Sequence, residues 1–214
     1  MHWISYIFPK RLLRTSTIFN KDIRVLEEYG KPKLLVNGSR QSGEYVKKLW
    51  SKAISAFGLT PSSAPLSILV FGVAGGDVIY LFRELYPSAY ITGVDIDQTM
   101  IDIGKTYFGL DTLKNVSFVV KDARIFTKAK DQKHRYNIVI LDIFNGWSVP
   151  DFVFEDEFLD NLKQLLKPQG QLFINYIGEK EYQKKSDVFY EKLCHRFPRV
   201  LDKVVYLNRF FSAS

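Results

Sequence analysis

An α/β fold on a doubly wound, mainly parallel seven-stranded sheet, preceded by a small N-terminal β-hairpin, is what this sequence predicts. Three observations predict it. Apolar strand-like runs alternate with helical-period segments from about residue 68 to residue 195, a pattern that favours parallel pairing with right-handed crossovers. The first run breaks into a glycine-rich turn, Gly72-Val73-Ala74-Gly75-Gly76-Asp77. Two β-prone pieces, residues 200–206 and 209–213, close the chain and would supply an antiparallel edge.

The elements follow in order. Residues 3–8 are apolar and precede Lys10, Arg11 and Arg14. A secretory signal would put its charges first, and a membrane span would need a longer run. The expectation is a segment packed on the domain or on a partner subunit. Residues 23–29 and 33–36 are β-prone and flank Gly30-Lys31-Pro32, which reads as the hairpin. Ser42-Gly43 opens a helix over 44–57, with Tyr45, Leu49, Ala53 and Phe57 at helical spacing. The linker-like TPSSAP at 60–65 divides residues 1–60, the N-terminal segment, hairpin and helix, from a cofactor-binding domain at 61–214. In that domain strands are expected near 68–71, 91–95, 116–120, 136–141 and 171–176. Helices are expected near 77–86, 98–107, 156–167 and 181–195. Pro168-Gln169-Gly170 is the stop signal for the third of these.

Strand, glycine turn, helix, strand and acid form a Rossmann-like unit that binds a nucleoside-containing ligand at the carboxyl edge of a parallel sheet. A dinucleotide fingerprint needs glycine at the first, third and sixth places of the turn. Here those places hold Gly72, Ala74 and Asp77. A carboxylate at the sixth place would oppose a pyrophosphate at the helix N-terminus. A cationic sulfonium such as S-adenosylmethionine suits the acids better, with a dinucleotide site and a structural turn as the other readings. Asp95, Asp122 and Asp142 end the second, third and fourth strands, where the crevice of an open α/β sheet lies. The bland reading of Asp122 and Asp142 is that they cap the segments that follow.

Composition sets further bounds. The 214 residues suffice for one domain with an accessory element, and 17 Phe with 12 Tyr argue against disorder. Cys194 is alone, so no internal disulfide or cysteine metal cluster is expected, and a reducing cytoplasm is the simplest home. His2, His134 and His195 show no metal-ligand spacing, so no metal site is expected. The formal charge of +7 comes from dispersed lysines and arginines without an aromatic-interleaved motif, so no nucleic-acid partner is indicated.

VFGVAGGD, VDID, KDAR, YNIVILDIFNG and EFLDNLKQLLKPQGQLFINYIG together resemble the spermidine synthase-like family, as does LLVNGSRQSGEY after the hairpin. The resemblance spans roughly residues 20–213. It implies a class I methyltransferase-type fold and S-adenosylmethionine, or its decarboxylated form, as donor. It also implies transfer of an aminopropyl or methyl group to a small amine or a protein amine, and leaves a homodimer open. Carried over by position, Gly72, Ala74, Gly75 and Gly76 form the cofactor loop, Asp95 with Ile96 takes the ribose, and Asp122 with Ala123 takes the adenine. Gln41 lies near the donor, and Asp142 faces the reacting amine as the catalytic acid–base group. Three departures stand out: aminopropyltransferases of this family have Asp where this chain has Gly75, a second Asp where it has Asn145, and a Tyr-His-Glu run absent from QSGEYVKKLW. These leave a non-catalytic cofactor-binding paralogue or scaffold as the alternative.

Overall fold

The computed structural model describes residues 8–214, so the expectation for the apolar segment at 3–8 lies almost wholly outside the described residues. Strands β1 (Lys10–Thr15), β2 (Ile23–Glu28), β3 (Lys31–Val36) and β4 (Ser39–Ser42) form an antiparallel sheet in that order. The expected hairpin is its central pair. Two strands escaped the sequence reading because both are short and carry charge: β1 reads KRLLRT and β4 reads SRQS. Such strands at the edges of a sheet give little period-two signal.

The second sheet has seven strands. β5 (Ser67–Phe71), β6 (Tyr90–Asp95), β7 (Val116–Val120), β8 (Tyr136–Leu141) and β9 (Leu166–Ile177) run parallel, while β11 (Asn208–Ala213) is antiparallel to β9 and to β10 (Val200–Val205). The order is β10-β11-β9-β8-β5-β6-β7, with β5 at the point where the winding reverses. The mainly parallel seven-stranded, doubly wound sheet is therefore present as expected.

Each central strand is buried on both faces, which is why it reads as a continuous apolar run. Along β5, Ile68 and Val70 face helices α1 (Glu44–Ala56), α2 (Asp77–Leu85) and α3 (Gln98–Phe108). Leu69 and Phe71 face α4 (Ala123–Thr127), α5 (Asp156–Leu165) and α6 (Gln183–Cys194). Removing each of these side chains from water contributes about 1.5–3 kcal/mol. Among the described residues no helix is long and apolar enough to cross a membrane.

Two local expectations need correction. The buried stripe of α1 is Val46, Leu49, Trp50, Ala53 and Ile54, so Leu49 and Ala53 are buried as expected while Tyr45 stays 36% exposed. The packing of Trp50 against Phe210, with ring centroids 5.0 Å apart, sets that rotation. Helix α5 stops at Leu165 rather than near 167, and β9 begins at once, with Leu166 paired to Tyr136 and Gln171 to Ile138. The proline–glycine turn is thus a bulge within the strand.

One tie between the two sheets is Asp97, which is buried. Its carboxylate accepts from Thr17 Oγ1 at 2.6 Å and Asn20 Nδ2 at 3.0 Å, and caps α3 by accepting from Thr99 N at 3.0 Å. Asp97→Ala strands these donors and should cost about 2–4 kcal/mol in urea unfolding. A loss below about 0.5 kcal/mol would show that Asp97 adds nothing to the other contacts between the sheets.

Candidate active site

The carboxyl ends of β5, β6, β7 and β8 converge on one crevice, and the glycine loop roofs it. Gly72 has φ +87°, and a Cβ there would lie 2.1 Å from the backbone oxygen of Asp142. Only glycine lets the end of β5 approach the end of β8 so closely. Gly75 is crowded from another side: its Cβ would stand 2.7 Å from both Cβ and Oγ of Ser42 and 2.8 Å from Phe108. Gly75 N donates to Ser42 Oγ at 2.7 Å, and Gly43 N donates to Asp77 Oδ2 at 2.9 Å. Ser42 therefore holds the glycine loop, and its side chain makes no cap on α1. As expected, α1 opens directly after Ser42-Gly43, with Gly43 at its N-cap, and the Asp77 carboxyl that accepts from Gly43 N is pushed up to about 6 by burial.

Asp95 lies at the floor of the crevice. Oδ2 accepts from Val73 N at 2.9 Å and Oδ1 from Asp97 N at 3.0 Å. Burial pushes its pKa up, against the pull of those two backbone bonds. A carboxylate has about four acceptor positions, so two remain for a ligand's hydroxyls. The residues present thus fit a ribose. Ile96 borders the same crevice and is 39% exposed. Asp122 also borders it, but here the capping reading holds: Oδ1 accepts from Arg124 N at 2.8 Å, and the Arg124 guanidinium grips both oxygens. That pairing holds the Asp122 carboxyl below the usual carboxylate range. A ligand amino group at Asp122 would compete with Arg124. Ala123 lies beside it, buried.

Asp142 is held from two sides. Trp50 Nε1 donates to Oδ2 at 2.9 Å and Asn175 Nδ2 to Oδ1 at 2.8 Å, and Asn208 Nδ2 fixes Asn175 through its Oδ1 at 2.8 Å. Burial pushes the Asp142 carboxyl up to about 6, the two donors oppose the rise, and the charge of Asp77 adds to it. The sequence reading missed Trp50 and Asn175. Nothing marked Trp50, whose indole N–H is one polar atom on an apolar helix face. Asn175 did leave a signal, as a lone amide inside the apolar run LFINYI.

Two cavities meet at this carboxylate. One, of about 240 Å³, runs from Gly72 and Ala74 past Asp95 to Asp122. The other, of about 380 Å³, runs from Asp142 between α1 and the 206–208 turn. Gln41, Asp142 and Phe144 line both. Gln41 Nε2 donates to Gly146 O at 3.1 Å and thereby ties β4 to the loop after β8. Asn145 sits in that loop, on the side of the smaller cavity. Gly76 packs on Leu110, behind the loop. Among the described residues no three His, Cys, Asp or Glu side chains gather to hold a metal.

With this geometry in view, the model of the spermine/spermidine synthase domain matches residues 47–212. The chain belongs to the spermine/spermidine synthase family. A polyamine aminopropyltransferase of Vibrio vulnificus is 31% identical over 141 residues, 65% of this chain and 47% of that protein. The eEF1A lysine and N-terminal methyltransferase of Bos taurus is 26% identical over 122 residues, 53% of this chain and 18% of that protein. This chain therefore spans about half or less of the length of these relatives. A spermidine synthase solved with the transition-state analogue AdoDATO superposes with a TM-score of 0.76 at 13% identity, over 96% of this chain and 72% of that one. That likeness is one of fold, and it takes in the N-terminal sheet that the family model leaves out.

Gly75→Ala should lower stability by about 1–3 kcal/mol, because Ser42 and Phe108 fill the space. Adding Ser42→Gly should recover part of the loss, with a coupling above about 0.5 kcal/mol in a double-mutant cycle of chemical unfolding. Additive losses would mean that Ser42 is not the obstacle.

Proposed function

We propose that the protein transfers an alkyl group from an adenosyl-sulfonium donor to an amine, with the donor in the 240 Å³ crevice and the amine in the 380 Å³ cavity. The observation that carries this reading is the meeting of the two cavities at one buried carboxylate. In this reading Gly72, Ala74, Gly75 and Gly76 border the donor, Asp95 with Ile96 takes the ribose, and Asp122 with Ala123 takes the adenine edge. Gln41 closes the junction from the N-terminal sheet.

Asp142 binds the amine as its ammonium form and takes one proton from it. A free alkylammonium has a pKa of roughly 10.4, far above a carboxylate. Burial raises the acid and lowers the ammonium, so the same desolvation narrows the gap from both sides. The freed nitrogen lone pair then forms the N–C bond as the C–S bond breaks. The bonding pair goes to sulfur, the sulfonium becomes a neutral thioether, and Asp142 passes its proton to solvent. Trp50 and Asn175 keep the carboxylate in place, so positioning supplies most of the rate.

Methyl transfer is the form that Gly75 favours. Aminopropyltransferases of the family have an acid there for the donor's aminopropyl amine, and Ser42 with Phe108 leave no room for one. Aminopropyl transfer is the second reading, favoured by the 31% identity to the Vibrio vulnificus enzyme.

Asp95→Ala leaves two ribose hydroxyls without a charged acceptor, at about 1.5–3 kcal/mol each. Affinity for S-adenosylmethionine or its decarboxylated form should fall at least about tenfold in calorimetry. Equal binding by both proteins, or a preference for a dinucleotide, would sink the donor assignment.

Asp142 must be ionised to accept the proton, so kcat/KM should fall about tenfold per pH unit below about 6 and stay flat up to the pKa of the amine. Asp142→Asn should lower turnover about 10²–10⁴-fold and leave donor affinity nearly unchanged. Its residual rate should rise with pH through neutrality, since only free amine then reacts. A profile identical to that of the parent protein would remove Asp142 from the chemistry.

A further inference from the structure

We propose that the acceptor is a monoamine with an apolar or aromatic body, not a dicationic polyamine. This rests on the reading of the 380 Å³ cavity as the acceptor site.

Charge balance is the first ground. The charged side chains that line the cavity are Asp142, Glu179 and Arg40. Arg40 offsets Glu179 in formal charge, so one negative charge, that of Asp142, is left to meet a cation. Asp142 itself has neutral partners, the indole of Trp50 and the amide of Asn175, and no lysine or arginine pairs with it among the described residues. One ammonium balances the cavity. A second would enter a partly desolvated space without a counter-charge, the most unfavourable way to bury an ion.

The walls are the second ground. Val46, Leu49, Phe144 and Ile177 give the cavity an apolar lining. At its mouth Leu207 and Trp147 are 61% and 64% exposed, apolar surface that an apolar acceptor would cover. A diamine has no bulk to cover it. The volume, about 380 Å³, falls in the range of small-molecule sites.

The rim is the third. The guanidinium of Arg40 lies 5.7 Å from the centroid of the Tyr45 ring. Tyr45 stacks on Tyr206 at 5.8 Å, and Lys52 Nζ sits 4.6 Å from the centroid of Tyr206. Two cations thus flank the stacked tyrosines beside the entrance, on a chain of formal charge +7. Arg40 supplies the charge that offsets Glu179, so without it the cavity would offer a second uncompensated acid to a distal ammonium. It is exposed, so replacing it leaves the core untouched.

Steady-state kcat/KM is measured for 2-phenylethylamine, hexylamine, putrescine, spermidine and a lysine-containing peptide, with each sulfonium donor in turn. Binding of the same amines is measured by calorimetry with the donor's thioether product present, which needs no turnover. The expected result is a preference of at least about tenfold for 2-phenylethylamine and hexylamine over putrescine in both measurements. Arg40→Glu should shift that ratio toward putrescine by about tenfold or more, with donor affinity unchanged as the check on folding. Preference for putrescine, spermidine or the peptide overturns the inference, as does a ratio indifferent to Arg40→Glu or an absence of amine binding. Preferential binding of the monoamines without any transfer would uphold the acceptor class and overturn the reaction instead.

Discussion

The close approach of Gly72 to the carbonyl of Asp142 is the constraint on which the rest of the site depends. A side chain at position 72 would stand 2.1 Å from that oxygen, so the two strand ends can adjoin only because the residue lacks one. From this contact the loop turns upward with positive φ, and the Asp142 carboxylate is left at the junction of two cavities. One strand end packed on another at a topological switch point creates the crevice. The acids then make it specific.

Those acids are held in unlike ways, and the differences bear on what each can do. Asp95 is pinned by two backbone N–H groups and keeps acceptor capacity for neutral hydroxyls. Asp122 is engaged by Arg124 and carries a stabilised charge. Asp142 has neutral donors only, and burial has moved its pKa toward neutrality. A carboxylate near neutrality can both accept and release a proton at working pH, which a group clamped by arginine cannot. The difference among these carboxylates is thus written in their partners, since all three residues are aspartates at strand ends.

Much of this was legible beforehand because it rests on local rules. Double-sided burial makes β5 a continuous apolar run, and the turn after it must carry glycine. The register of strand-end acids follows from the same alternation. Ser42 was legible as a residue but not as a partner of Gly75, thirty-odd positions away. On α1 Leu49 and Ala53 were read correctly, but Tyr45 was preferred to Val46 because both are acceptable on an apolar face, and only contact with Phe210 and Asp142 selects the face that carries Trp50. β1 and β4 escaped because charged edge strands lack the period by which strands are recognised.

By itself the sequence determined the order of elements, the parallel core, the glycine turn and the placing of Asp95, Asp122 and Asp142 at one edge of the sheet. Each of these follows from the chemistry of residues near one another along the chain. The tertiary structure alone decided that Arg124 occupies Asp122, that Trp50 and Asn175 flank Asp142, and that Ser42 fills the space beside Gly75. It also decided that Arg40 and Glu179 share a cavity with Asp142. Side-chain partners drawn from elements far apart in the chain depend on how those elements dock. Docking is set by the sum of many weak packing contacts, and no local pattern encodes that sum.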